Sequence, residues 1–156
     1  MTRTLVLGLV LVLSASAVGR PAAAPAPTRL LRQPTVSATH VAFTYANNVW
    51  MVERAGGLAR RVTSFQGTTT NPKFSPDGKW IAFSADYGGN MDAYVVPADG
   101  GEPKRLTWHP GADLVQSFTP DGKGILFTSQ RATFTGRYAQ LFTVPARGGL
   151  AKALPM

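Results

Sequence analysis

The side chains able to do chemistry are few and cluster in the second half of the chain. His109 and Asp113 lie in Trp108-His109-Pro110-Gly111-Ala112-Asp113, and Arg131, Phe134 and Arg137 share a later stretch. An imidazole, a carboxylate and two guanidiniums suit contact with a peptide or its carboxylate, because Arg offers paired N–H donors to such a group. Nucleophilic catalysis is a poorer fit. The other histidine, His40, falls in a turn where a solvated ring is expected, and there is no Gly-x-Ser-x-Gly elbow. No pair of residues suggests a base activating a hydroxyl, so no catalytic residue is assigned within the chain. Asp86, Asn90 and Asp92 put three oxygen donors on one short loop, but their spacing matches no calcium loop, and Gly88-Gly89 read as turn residues. The chain has no cysteine and therefore no thiolate site. With no zinc spacing, phosphate-cradling loop or dinucleotide fingerprint, neither metal nor cofactor is expected.

What must position these residues is a repeat. Phe-Ser-Pro-Asp-Gly-Lys at 74–79 returns 44 residues later as Phe-Thr-Pro-Asp-Gly-Lys at 118–123. That period is the mark of a β-propeller blade. After the shared turn come Trp80–Ser84 in one unit and Gly124–Thr128 in the other, then Ala93–Pro97 and Leu141–Pro145. Each unit next reaches a glycine pair, Gly100-Gly101 or Gly148-Gly149, and ends on a short strand. A degenerate first unit runs through Val41-Ala42-Phe43, Val49–Val52 and Gly56-Gly57 to Arg60–Thr63. Pro76, Asp77 and Gly78, like Pro120, Asp121 and Gly122, are turn residues. Proline sets the first corner, aspartate bonds back to the backbone and glycine accepts positive φ. The glycine pairs close the second hairpin of each unit. The expected fold is all-β: three four-stranded antiparallel blades over units of about 34–63, 71–107 and 115–155, forming a partial propeller within residues 28–156.

The strands are apolar on both sides. Ile81 and Phe83 point one way, Trp80 and Ala82 the other. A sandwich sheet with one wet face would alternate apolar and polar residues, whereas a blade pressed between two neighbours would not. Strand order also sorts the connections. The Pro-Asp-Gly and Gly-Gly turns share one end of the blades. The longer segments 64–70, 86–92, 109–113 and 130–138 share the other. Tyr94 and Phe142 are 48 residues apart, so the third unit carries an insertion on that loop-rich face. Insertions on one face often mark the binding face.

Formal charge is +8, which raises the question of nucleic acid. The basic residues answer it by their placement: Arg60-Arg61, Lys104-Arg105 and Lys152 all fall on the outermost strand of a unit. Charge there discourages edge-to-edge pairing, and a nucleic-acid surface would want a continuous basic stripe with aromatic platforms. Nucleic acid is not an expected partner. Residues 1–27 read as an export signal with an Ala/Pro leader. Arg3 precedes the apolar run Leu5–Leu13, and Ala15-Ser16-Ala17 offers a cleavage site. Nine residues are too few to span a bilayer, so a periplasmic or secreted protein without an integral membrane segment is expected. Closed propellers have four to eight blades. Three blades leave two apolar faces, each forfeiting about 6–12 kcal/mol of burial in water. The chain therefore reads as the first part of a longer protein, with two copies completing a six-bladed ring as the other solution.

Asn71–Ser84 resembles the repeats shared by the TolB, prolyl oligopeptidase and tricorn protease propellers. The longer pattern is more selective. Arg105–Asp113 leads into Thr119–Lys123, followed by Gln140–Pro145 and Gly148-Gly149-Leu150, and Pro34–Ser37 before Val41-Ala42-Phe43 fits a first blade. Together these resemble the N-terminal six-bladed propeller of tricorn-type peptidases over roughly residues 30–155. The resemblance implies a serine peptidase degrading oligopeptides within a large homo-oligomer. Its further blades, a second propeller, a PDZ-like domain and the catalytic residues would belong to the remainder of the same polypeptide. Partners would then be peptides or protein. Archaeal tricorn is cytosolic, so the leader places this homologue in a different compartment. A non-enzymatic TolB-like periplasmic propeller binding protein partners is the alternative, although TolB-like chains put an α/β domain before their blades.

Overall fold

The computed structural model describes residues 30–132 and 138–155; the leader and signal expected over 1–27, and Phe134 and Arg137, lie outside the described residues. Twelve strands form three four-stranded antiparallel sheets, and no helix occurs among the described residues. The first blade holds β1 (Arg32–Val36), β2 (His40–Tyr45), β3 (Asn48–Glu53) and β4 (Arg60–Arg61). The second holds β5 (Thr68–Phe74), β6 (Trp80–Asp86), β7 (Met91–Pro97) and β8 (Lys104–Arg105). The third holds β9 (Asp113–Phe118), β10 (Gly124–Ser129), β11 (Gln140–Pro145) and β12 (Lys152–Ala153). Within each blade the strands pair in chain order, and β5 touches both β1 and β9, so the first strands form the inner edge of a three-blade wedge.

Two apolar layers hold the wedge together. Between blades one and two, Ala42, Val49 and Met51 receive Ile81, Phe83, Tyr94 and Val96. Between blades two and three, Ala82, Ala93 and Val95 receive Ile125, Phe127, Phe142 and Val144. In both layers a face of small or slender side chains meets a face of bulky ones, which lets the sheets interlock. The middle blade shows the consequence. Residues 81–85 and 92–96 are all buried, whereas in β10 of the third blade buried and half-buried residues alternate.

The repeated turn forms because its polar atoms satisfy one another. Ser75 Oγ donates to Asp77 Oδ1 (2.5 Å), which also accepts from Lys79 N (3.0 Å), while Trp80 N donates to Ser75 Oγ (2.9 Å). Thr119, Asp121, Lys123 and Gly124 repeat this network at 2.5, 3.0 and 2.9 Å, which explains the exchange of Ser for Thr. In the first unit Ser37 Oγ accepts from His40 N at 3.0 Å in a shorter version. His40 is correspondingly not a free turn residue; it opens β2, half-buried, with Nδ1 2.8 Å from Thr39 Oγ1.

The inner strands bulge at matching places. Gln33 and Asn71 adopt positive φ (51° and 53°), each just before a proline, where β1 and β5 slip register. A proline lacks the N–H that a ladder would use, so it is tolerated where pairing is interrupted. The side chains tie the strands together: Gln33 Nε2 donates to Asn71 Oδ1 (2.6 Å), and Asn71 N donates to Gln33 Oε1 (2.9 Å).

Candidate functional site

The loop-rich end is organised by two acid–arginine pairs. Asp92, on β7, is fully buried because β6 and β8 flank it, yet it keeps a complete set of partners. Arg105 Nη2 donates to its Oδ2 at 2.5 Å, Thr107 Oγ1 donates to Oδ1 at 3.1 Å, and Asn90 Nδ2 lies 3.3 Å from Oδ2. Burial pushes the Asp92 carboxyl above its ordinary value, and the Arg105 charge opposes that rise. Thr107 Oγ1 also accepts from Ala93 N at 3.0 Å, as Thr63 Oγ1 accepts from Val49 N at 3.0 Å one blade earlier. Beyond the pair, Arg105 Nε donates to Thr107 O (2.8 Å), and its guanidinium lies 5.7 Å from the ring of exposed Trp108.

The second pair joins two of the residues singled out from the sequence. Arg131 Nη2 donates to Asp113 Oδ2, and the guanidinium sits 5.1 Å from the Phe127 ring and 5.3 Å from Phe142. Asp113 is wholly buried, so its carboxylate faces Arg131 and not solvent. His109 lies beside the first pair. Its carbonyl accepts from Asn90 Nδ2 (2.5 Å), and its Nδ1 accepts from Gly111 N (2.9 Å), an arrangement that stiffens the link and leaves Nε2 as the free ring nitrogen. The structure thus joins Asp113 with Arg131 and sets His109 against Asn90. Asp92 is drawn into a salt bridge, which removes it from the oxygen trio considered for calcium. Among the described residues no group of three or more His, Asp or Glu side chains is poised around a metal.

Two features escape the sequence reading. Arg105 looks like one more outer-strand charge, yet it neutralises a buried carboxylate; the signal was Asp92 inside an otherwise apolar strand, which demands a partner. The other is a concavity of about 800 Å³ at the tight-turn end, between the second and third blades. Trp80, Val95, Pro97, Phe118 and Pro145 line it, and Trp80, expected to pack with Ala82, remains 44% exposed at its mouth because it is the first residue of β6.

Three side-by-side antiparallel blades, joined by inner-edge strands and interlocked apolar layers, define a β-propeller class of protein. The pattern of the tricorn protease N-terminal beta propeller domain matches residues 28–156, and the chain belongs to that family. It is 35% identical over 75 residues to tricorn protease homolog 1 of Streptomyces coelicolor, covering 48% of this chain and 7% of that protein. The crystal structure of TolB from Acinetobacter baumannii superposes with a TM-score of 0.69 at 28% identity, over 81% of this chain and 32% of that one. The crystal structure of the tricorn protease gives 0.65 at 26% identity, over 74% and 12%. The chain thus spans a small part of the length of each of these proteins.

Proposed function

We propose that these blades serve as the propeller of an exported tricorn-like serine peptidase that degrades oligopeptides, controlling the passage of substrate or product and the assembly of the enzyme. The observation carrying this reading is the family match across residues 28–156. The loop-rich end supports it chemically. The Arg105–Trp108 pair presents a cation beside an exposed ring, His109 follows Trp108 in the same link, and Arg131 is partly exposed, groups suited to peptide backbone and carboxylate. Phe134 and Arg137, expected from the sequence to contact the same peptide, lie outside the described residues. Export rests on the leader pattern of Arg3, Leu5–Leu13 and Ala15-Ser16-Ala17. No helix among the described residues is long and apolar enough to cross a membrane.

Expression of the gene's complete product provides the test. The expected result is hydrolysis of oligopeptides that a serine-reactive inhibitor blocks, with altered preference for substrate length when residues 28–156 are deleted. The catalytic residues belong to sequence outside these 156 residues, so the pure chain should hydrolyse nothing; robust inhibitor-sensitive cleavage by it would overturn the proposal. The superposition on TolB favours a second reading, a non-enzymatic periplasmic propeller that binds protein partners. A complete product without peptidase activity that retains a periplasmic protein on an affinity column would support that reading instead.

A further inference from the structure

The concavity at the tight-turn end is walled by equivalent parts of the second and third blades. Pro76 and Pro120 come from the first turn of each, Pro97 and Pro145 from the end of each third strand, and buried Val95 and Phe118 lie beneath. Trp80 sets the place apart. The pairs His40–Glu53, Trp80–Pro97 and Gly124–Pro145 put His40, Trp80 and Gly124 at one position of the three blades. The hairpin needs no indole there, and the ring stays 44% exposed at the mouth of the groove. Trp50 Nε1 donates to Tyr45 O (3.0 Å), whereas among the described residues nothing accepts from Trp80 Nε1. The outer end of the groove is fixed by a contact that recurs along the rim. Lys104, on β8, donates from Nζ to Arg147 O (2.6 Å) in the β11–β12 turn. One blade earlier Arg60, on β4, donates from Nη2 to Ala98 O (2.7 Å) and from Nη1 to Asp99 O (3.3 Å), both in the β7–β8 turn. Each cation stands four places after the first glycine of its own Gly-Gly pair, Gly56 then Arg60 and Gly100 then Lys104. Because Lys104 ties the second blade to the third, the groove between them is preformed.

Its hydrogen-bonding capacity is one-sided. The main-chain oxygens of Ser75, Pro97, Lys123 and Pro145 already receive the N–H groups of Gly78, Gly100, Ala146 and Gly148, at 2.9, 2.9, 2.9 and 2.8 Å. Arg147 O receives Lys104. An ordinary extended peptide would bury its N–H groups against proline rings and engaged carbonyls, and a buried donor without an acceptor is costly. Proline has no N–H to satisfy. A polyproline II segment keeps its carbonyls free of internal bonds, so Trp80 Nε1 and the remaining Lys104 protons can donate to them. Charge is divided along the groove as well. At the inner end Asp77 and Asp121 outnumber the one lining cation, Lys123, and each aspartate spends Oδ1 on its own turn. At the outer end Lys104 and Arg147 outnumber Glu102. From the first strand of a blade to its fourth is three strand spacings, about 14 Å. That is the length of four or five residues of polyproline II, at about 3.1 Å each.

We propose that this groove binds an extended proline-rich segment of a partner protein, flanked by a basic residue at the inner end and an acidic residue at the outer end. The indole stacks on a proline ring and donates to a carbonyl, while the ends of the segment meet charges of opposite sign. The site lies at the end of the blades opposite the peptide surface of the preceding reading and requires no peptidase, so the two stand or fall separately.

The gene's complete product, treated with a serine-reactive inhibitor so that the probe stays intact, is titrated against fluorescein-labelled Arg-Pro-Pro-Ala-Pro-Pro-Glu and followed by fluorescence anisotropy. Saturable binding is expected, and the analogue with every proline replaced by alanine should bind about tenfold more weakly. Trp80→Ala, at an exposed strand start, should weaken binding of the proline probe about tenfold. Trp80→Phe, which keeps a ring and loses the N–H, should weaken it about threefold. Glutamine at both ends of the probe should cost about threefold at low salt and nothing at high salt, and Asp77→Asn with Asp121→Asn should reduce that difference. Benzoylphenylalanine in place of the central alanine should cross-link to the segments 75–80, 97–104 or 145–147, mapped by mass spectrometry. Absence of saturable binding, equal binding by Trp80→Ala or by the alanine analogue, or cross-links confined to segments 86–92 and 108–113 would each overturn the proposal.

Discussion

Asp77 and Asp121 differ from Asp92 in the sign of their contribution to stability. The first two are solvent-exposed, but bonds from Ser75 or Thr119 and from the backbone N–H of Lys79 or Lys123 hold their carboxyls below the ordinary 3.8. A depressed value means that the stabilisation is present above pH 3.8 and is lost as pH falls through the lower folded value. Asp77→Asn with Asp121→Asn keeps an acceptor in each turn and removes the titration. Urea midpoints recorded from pH 6 to 2 should therefore fall less steeply in the double variant. Asp92 behaves oppositely, because burial raises its carboxyl and favours the protonated form. Arg105→Ala, which strands that carboxylate, should cost about 1–3 kcal/mol at neutral pH, and the deficit should shrink on acidification once Asp92 takes up a proton. The turn chemistry was legible in the sequence because Ser-Pro-Asp-Gly closes its hydrogen bonds within six consecutive residues, 75–80. The Asp92–Arg105 and Asp113–Arg131 pairs were not, since partners 13 and 18 residues apart meet only through strand pairing.

At the scale of strands, blade identity was readable from the repeat, and the two-sided burial of the middle blade from its continuous apolar runs. The task of the outer-strand cations was not. Their spacing from the glycine pairs is visible in the chain, but their acceptors are main-chain oxygens that no residue type reveals. Arg60 and Lys104 accordingly fasten one blade to the next, a role beyond discouraging edge pairing. The interlocked layers give a graded expectation. Phe83→Ala empties a fully buried position between two blades and should cost about 3–5 kcal/mol by chemical denaturation. Leu126→Ala, half-buried on an outward face, should cost clearly less in a folded monomer. Amide hydrogen exchange should likewise be slowest in β6 and β7, where backbone and side chains are covered on both sides, and faster in β4 and β12, the two-residue outer strands.

Across the whole molecule, sequence and structure agree on a family of blades whose two ends differ in character. The insertion-bearing loops pointed to one end, and there the structure shows polar groups already engaged with each other, while Trp80 opens a concavity at the opposite end. Tryptophan emission makes this checkable: exposed Trp80 and Trp108 should be quenched by acrylamide, Trp80→Phe should remove a share of that quenching, and peptide binding at the loop-rich end should protect Trp108. The rim contacts bear on how such a chain can change over time. Ala98-Asp99 and Ala146-Arg147 share no chemistry at their second position, yet both offer the same oxygen to a cation. A lock that grips only the backbone leaves its neighbour's side chains unconstrained. Units of this kind can diverge, duplicate or trade places while still fitting together, so a hairpin of this design grafted from a distant relative should still fit against its neighbouring blade.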